Sequence, residues 1–187
     1  MVITKMRFIP SGLKKATWLM LGCLFLFSSP AHAVTVTLGV YKFFTGRLVL
    51  QVGSPTGSVD TVSFQVPAGQ VGDNTPLQAT SQPVRVSVAA QSSLWAEFLG
   101  GVTVTLTANS STPLSNNTYT IPFTEIGWTS SDSDIPSGRF DGSANQVLLT
   151  FTGSKQVYVD QTFYYANSQV VAPGTYTGTV TYTATMQ

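Results

Sequence analysis

Few residues in this 187-residue chain could do chemistry, and Glu97 and Glu125 come first among them. A glycoside hydrolase needs two carboxyls flanking one bond, a few ångströms apart. Nothing in the sequence draws these two together, and isolated acids ordinarily sit on the surface. Asp132 and Asp134 alternate with serines in the segment 130–138, with Asp141 just beyond. Alternating oxygens on a loop suit calcium, but the bidentate glutamate that closes a familiar calcium loop is missing. Asp and Ser also favour plain turns, so a solvated turn is the expectation. Trp95 and Trp128 could form a sugar-stacking platform or belong to a core. Trp128 alternates with apolar partners and is assigned to the core, while Trp95 stays open. No catalytic residue, metal site or cofactor is expected, and the chain is not read as an enzyme.

The remaining reactive side chains, Cys23 and His32, both fall in the first 33 residues. There Lys5, Arg7, Lys14 and Lys15 precede an apolar run over 16–27, followed by Ala31-His32-Ala33. A basic start, a short apolar stretch and an A-x-A end make a secretory signal peptide. Twelve residues are too few to cross a hydrocarbon layer about 30 Å thick. A lipoprotein signal through Gly22-Cys23 is the weaker alternative, since the apolar run continues past the cysteine. The expectation is cleavage after Ala33, export through the periplasm and no membrane span in the mature protein.

Removing residues 1–33 leaves 154 of the 187, with Lys42, Arg47, Arg85, Arg139 and Lys155 against eight acids, a formal charge of −3. Such a charge draws no nucleic acid. With neither cysteine nor histidine left, a disulfide framework, thiolate or imidazole metal sites and nucleophile–histidine catalysis are excluded.

Period-two alternation dominates the elements that remain, and no helical period is sustained. Strands are read at 34–40, 48–52, 59–66, 84–88, 102–106, 147–151 and 156–159. A bent strand is read over 119–128, further β character at 163–165, and a long last strand over 175–186; 94–98 is ambiguous between strand and helix. Short strands at regular spacing predict an all-β fold, an antiparallel sandwich, with an up-and-down barrel as the rival. Threonine-rich outer faces account for solubility at 9% charged residues, against about 25% in an ordinary domain.

Both ends of the mature chain are strands, where polar tails are the rule. Either they pair with each other in one closed sandwich, or they pair between molecules by strand addition. Here the sequence resembles the pilin subunits of chaperone–usher fimbriae. Counting back from Gln187 as the first, Gly174 is fourteenth, with Val180, Tyr182 and Ala184 alternating behind it and Met186 where an aromatic is usual. The resemblance implies an immunoglobulin-like sandwich lacking one strand. It implies a donor extension over 34–44, carried by Val34, Val36, Leu38 and Val40, before a pilin-like domain over 45–187. It also implies an acceptor edge made of Gly174, Tyr176, Val180, Tyr182, Ala184, Met186 and Gln187. The implied partners are a periplasmic chaperone, an outer-membrane usher and other pilin subunits, and the implied location is a cell-surface fimbrium. The alternative is a monomeric secreted β-sandwich binding domain, for carbohydrate for example, using the Asp132 loop or Trp95.

Overall fold

The computed structural model describes residues 35–37, 46–53, 62–80 and 83–187. The segment 1–33 and three of the four expected donor residues, Val34, Leu38 and Val40, lie outside the described residues. Along the chain run β1 (Thr35–Thr37), β2 (Gly46–Val52), β3 (Ser63–Val66), β4 (Leu77–Gln78) and β5 (Val84–Ser92). A five-residue helix, α1 (Leu94–Phe98), precedes β6 (Thr103–Asn109), β7 (Leu114–Ser115), β8 (Thr120–Ile121), β9 (Ile126–Ser130) and β10 (Gly138–Arg139). The last four strands are β11 (Gln146–Thr152), β12 (Lys155–Tyr165), β13 (Gly174–Thr177) and β14 (Thr181–Met186).

One sheet has the order β10-β9-β12-β5-β2, with β4 also on β12. Facing it are two smaller sheets, β1-β14-β6-β11 and β3-β13-β7-β8. All described pairings are antiparallel except β1 with β14. The protein is therefore an all-β antiparallel sandwich. The space between its layers, lined by Phe64, Phe123, Phe163, Val180 and Tyr182 among others, is about 40 Å³. A barrel built around a ligand cavity would need several hundred cubic ångströms there.

The alternation read from sequence sets which side chains enter the core. On β5, Val84, Val86, Val88 and Ala90 are buried while Arg85, Ser87, Ala89 and Gln91 face outward. On β6, Val104, Leu106 and Ala108 are buried in the same way. Trp128 is in the core as expected, its indole N–H donating to the Pro136 carbonyl at 3.0 Å. Its ring lies 4.8 Å from that of Phe140, which stacks on Phe163 at 5.9 Å. Tyr165 is buried and Tyr164 half-buried, the opposite faces that adjacent strand residues must take.

Four local readings change. The bent strand read over 119–128 is two strands in different sheets, β8 and β9, separated by a 3-10 turn at Phe123–Glu125. The segments 156–159 and 163–165 belong to one eleven-residue strand, β12, because Gln161 holds the inward phase between Val159 and Phe163. The segment 94–98 is helical, leaving Leu94 and Phe98 exposed. The expected last strand is two strands in two sheets: β13 pairs with β3 and β7, and β14 with β6 and β1. The alternation runs through the break, so Tyr176, Val180, Tyr182, Ala184 and Met186 are all buried, but the hydrogen-bonding partners change completely.

Gly178 makes that change of sheet possible. A Cβ there would meet Leu114 Cγ at 3.0 Å, Leu114 Cα at 3.1 Å and Phe123 Cζ at 3.1 Å. Gly174, which opens β13, has φ +148, a conformation other residues rarely adopt. Because the Leu114 backbone cannot retreat, Gly178→Ala should cost about 1–3 kcal/mol by overpacking. Urea unfolding of the variant beside the parent protein checks this, and an unchanged midpoint would refute the role given to the glycine.

Candidate functional site: the edge between the first and last strands

β14 owes its form to five threonines alternating with apolar residues over 177–186. Val180, Tyr182, Ala184 and Met186 point into the core, while Thr181 and Thr183 are half-buried and Thr185 is exposed. One backbone edge of β14 pairs with β6 over all six residues, from Thr181↔Asn109 to Met186↔Val104. The ladder continues one residue further: the Gln187 N–H donates to the Thr103 carbonyl at 2.9 Å, and Thr103 donates back at 2.8 Å.

The other edge is different. β1 covers it only over Thr35↔Thr181, Val36↔Tyr182 and Thr37↔Thr183, running parallel. Among the described residues, Ala184 to Met186 have no strand on that side. β1 also lies against β2, the last strand of the six-stranded sheet, and β2 in turn approaches β14. Leu48, Leu50 and Val52 of β2 are buried, as are the inward residues of β14.

Tyr182 sits at the register position opposite Val36 and carries the one polar contact of this part of the core. Its hydroxyl donates to Gln161 Oε1 at 3.1 Å, and both residues are buried. Among the described residues the Gln161 amide nitrogen has no partner. Burial raises the Tyr182 phenol pKa well above the ordinary value of a tyrosine.

The structure brings together only part of the expected acceptor edge. Val180, Tyr182, Ala184, Met186 and Gln187 lie along or beside β14. Gly174 and Tyr176 lie in β13, hydrogen-bonded to β3, and the Tyr176 hydroxyl donates to Ala172 O at 2.8 Å. Sequence reading missed β2 as the opposite wall, since Leu48-x-Leu50-x-Val52 shows a strand but not that it ends a sheet. Gln161 was legible as a polar residue on the inward phase of β12.

The other chemical candidates do not assemble. Glu97 accepts from Ser92 and, at 3.1 Å, from Ser154, which lower its pKa, and Glu125 accepts from Ser168. Ser154 precedes β12, and Glu125 accepts the Ala166 N–H just after it, so the two carboxylates stand at opposite ends of this strand. At roughly 3.4 Å per residue that is about 35 Å, too far to share one bond. Asp132 closes a turn by accepting the Asp134 N–H at 2.8 Å, and Asp134 pairs with Lys155 at 2.6 Å. Among the described residues no three metal-ligating side chains come together. The side chain of Trp95 lies outside the description. Comparison with protein-family models, curated proteins and solved structures found no match.

The Tyr182–Gln161 pair gives a direct test of what holds this edge. Tyr182→Phe removes the only hydrogen bond of the buried Gln161 side chain and should cost about 1–3 kcal/mol. Adding Gln161→Leu should recover most of that loss, which a double-mutant cycle in urea would measure. The raised pKa also has a pH consequence. An unfolded tyrosine ionises near about pH 10 and the folded Tyr182 does not, so its contribution is fully present below that pH and is lost as pH rises beyond it. Tyr182→Phe should flatten the alkaline fall in stability.

Proposed function

We propose that this chain is a structural subunit of a bacterial surface fimbria that polymerises by β-strand complementation. Export through the periplasm, cleavage after Ala33 and capture by a periplasmic chaperone and an outer-membrane usher belong to the same reading. The observation that supports it is the edge of β14, where β1 covers three residues and, among the described residues, no strand covers Ala184 to Met186. A bare strand edge of this kind templates pairing with another chain.

The energetics favour exchange. β1 pairs with three of the six residues of β14, and each hydrogen bond contributes about 0.5–1.5 kcal/mol net. The segment in place is favoured mainly by its tether, which sets an effective concentration in the millimolar range. A neighbour's strand that covered all of Thr181–Met186 would gain more hydrogen bonds. In this reading the expected donor residues Val34, Val36, Leu38 and Val40 supply the inserted side chains, and the protein performs no catalysis.

One observation favours the second reading, a monomeric secreted domain closed on itself. β1 meets β14 of its own chain, and it does so in parallel. Only eight residues, 38–45, join Thr37 to Gly46, which pairs with Ser92.

Expression of 34–187 with and without a second copy of 34–40 linked after Gln187 separates the readings. A polymerising chain should become a monomer with a higher Tm when the extra strand is supplied. A parent protein that is already a stable monomer, unchanged by the addition, would establish the closed domain instead. In the polymer, Val180→Asp should abolish assembly while the variant is still secreted, because burying an unpaired carboxylate costs several kcal/mol. Normal filaments from that variant would overturn the groove assignment.

A further inference from the structure

The six-stranded sheet has an outer face that neither edge pairing nor the core uses. Cross-strand register lines up its outward residues in rows: Gln51, Ser87 and Tyr158 in one, Val49, Ala89 and Gln156 in the next. The middle strand of each row, β5, presents a serine or an alanine between longer side chains on β2 and β12. A trough of about 550 Å³ results, open to solvent along its length. Neighbouring strands are about 4.8 Å apart, so its flanks stand roughly 10 Å from each other.

The trough is differentiated in charge. At one end, beyond Ser87, Arg85 is spent on Asp160 through two hydrogen bonds of 2.7 and 2.9 Å. At the other, Lys155 is paired with Asp134. Arg47 lines the trough opposite Gln91, is exposed, and forms no ion pair among the described residues. Among the described residues no carboxylate lines the trough itself, and Glu97 and Asp134 are held at its rim by Ser154 and Lys155. Tyr158, 54% exposed, stands on the facing flank, its hydroxyl held by a hydrogen bond from Gln156 Nε2.

We propose that this trough binds an acidic oligosaccharide, with one sugar ring against Tyr158 and a carboxylate on Arg47. An exposed tyrosine offers an apolar face for the C–H side of a sugar ring together with a polar rim. Primary amides each provide donors and an acceptor, the complement of vicinal hydroxyls, and Gln51, Gln91 and Gln156 surround the trough floor with them. A guanidinium matches a carboxylate with two parallel hydrogen bonds. Other ligand classes fit less well. A nucleic acid strand needs several free cations in a row, where the described trough lining offers Arg47 alone. A peptide adding as a strand needs a backbone edge, and β5 is paired on both sides. The proposal is independent of the fimbrial reading, since the face is the same in a filament subunit and in a closed monomer.

The test uses the secreted full-length chain on an array carrying sialylated, uronic and neutral glycans, followed by titration with 3′-sialyllactose and lactose or the best acidic and neutral pair found. Acidic glycans should bind at least about tenfold tighter than their neutral counterparts, a difference of about 1.4 kcal/mol. Arg47→Gln should remove that difference, and Tyr158→Ala should weaken both members of the pair. Arg139→Gln makes the same change of charge on β10, away from the trough, and should leave binding unchanged. Thermal unfolding of each variant confirms that these surface changes leave the fold intact. Binding to no glycan on the array, preference for neutral glycans, or equal losses from Arg47→Gln and Arg139→Gln would each overturn the proposal. Filament formation is scored separately, so failure here leaves the polymerisation test untouched.

Discussion

The structure depends on how β14 is covered. A strand whose inward side chains are Tyr182, Ala184 and Met186 cannot be left at a wet edge without exposing both apolar area and backbone polar groups. β6 satisfies one edge along the whole strand, and β1 satisfies only part of the other. Everything proposed about assembly follows from that inequality. The same constraint reaches β2, whose buried Leu48 and Leu50 border the space that β1 enters.

The break between β13 and β14 matters for the same reason. By moving from one small sheet to the other at Gly178, the chain gives its last strand a separate set of partners. β13 pairs with β3 over all four residues and with β7 at Thr177 alone, while β14 is paired along the whole of one edge and half of the other. A buried hydroxyl–amide contact, Tyr182 to Gln161, then ties β14 to the centre of the opposite sheet and fixes its depth. Among the described residues the Gln161 amide nitrogen stays unsatisfied, a cost that the contact does not recover.

The sandwich separates its possible interactions by face. Edge pairing at β14 uses backbone groups and is indifferent to the outer side chains of the six-stranded sheet. The trough over β5 uses side chains alone and is indifferent to whether the edge is filled from the same chain or another. Surface charge is arranged to match: two of the cations around the trough are neutralised by neighbouring aspartates, and Arg47 is not. With 9% charged residues, the Arg47 guanidinium, without an ion pair among the described residues, stands out against a surface of threonine and serine.

Alternation along the chain determined the strands, which side chains are buried on β5, β6 and β14, and the core position of Trp128. It did so because a pleated strand sends successive side chains to opposite faces whatever the partner is. The glycine at 174 and the apolar positions after it were legible for the same reason, since they belong to one continuous stretch. The identity of neighbouring strands was not, because period two is the same on both sides of a change of sheet. So Thr175–Met186 read as one strand, Gly174 and Tyr176 read as part of the same edge as Tyr182, and β2 gave no sign of being the opposite wall. The trough needed still more: its floor and flanks come from strands around forty to a hundred residues apart, and only hydrogen-bond register sets Ser87 between Gln51 and Tyr158. Local periodicity fixes what a strand buries, and tertiary pairing decides which edges are left for something else to fill.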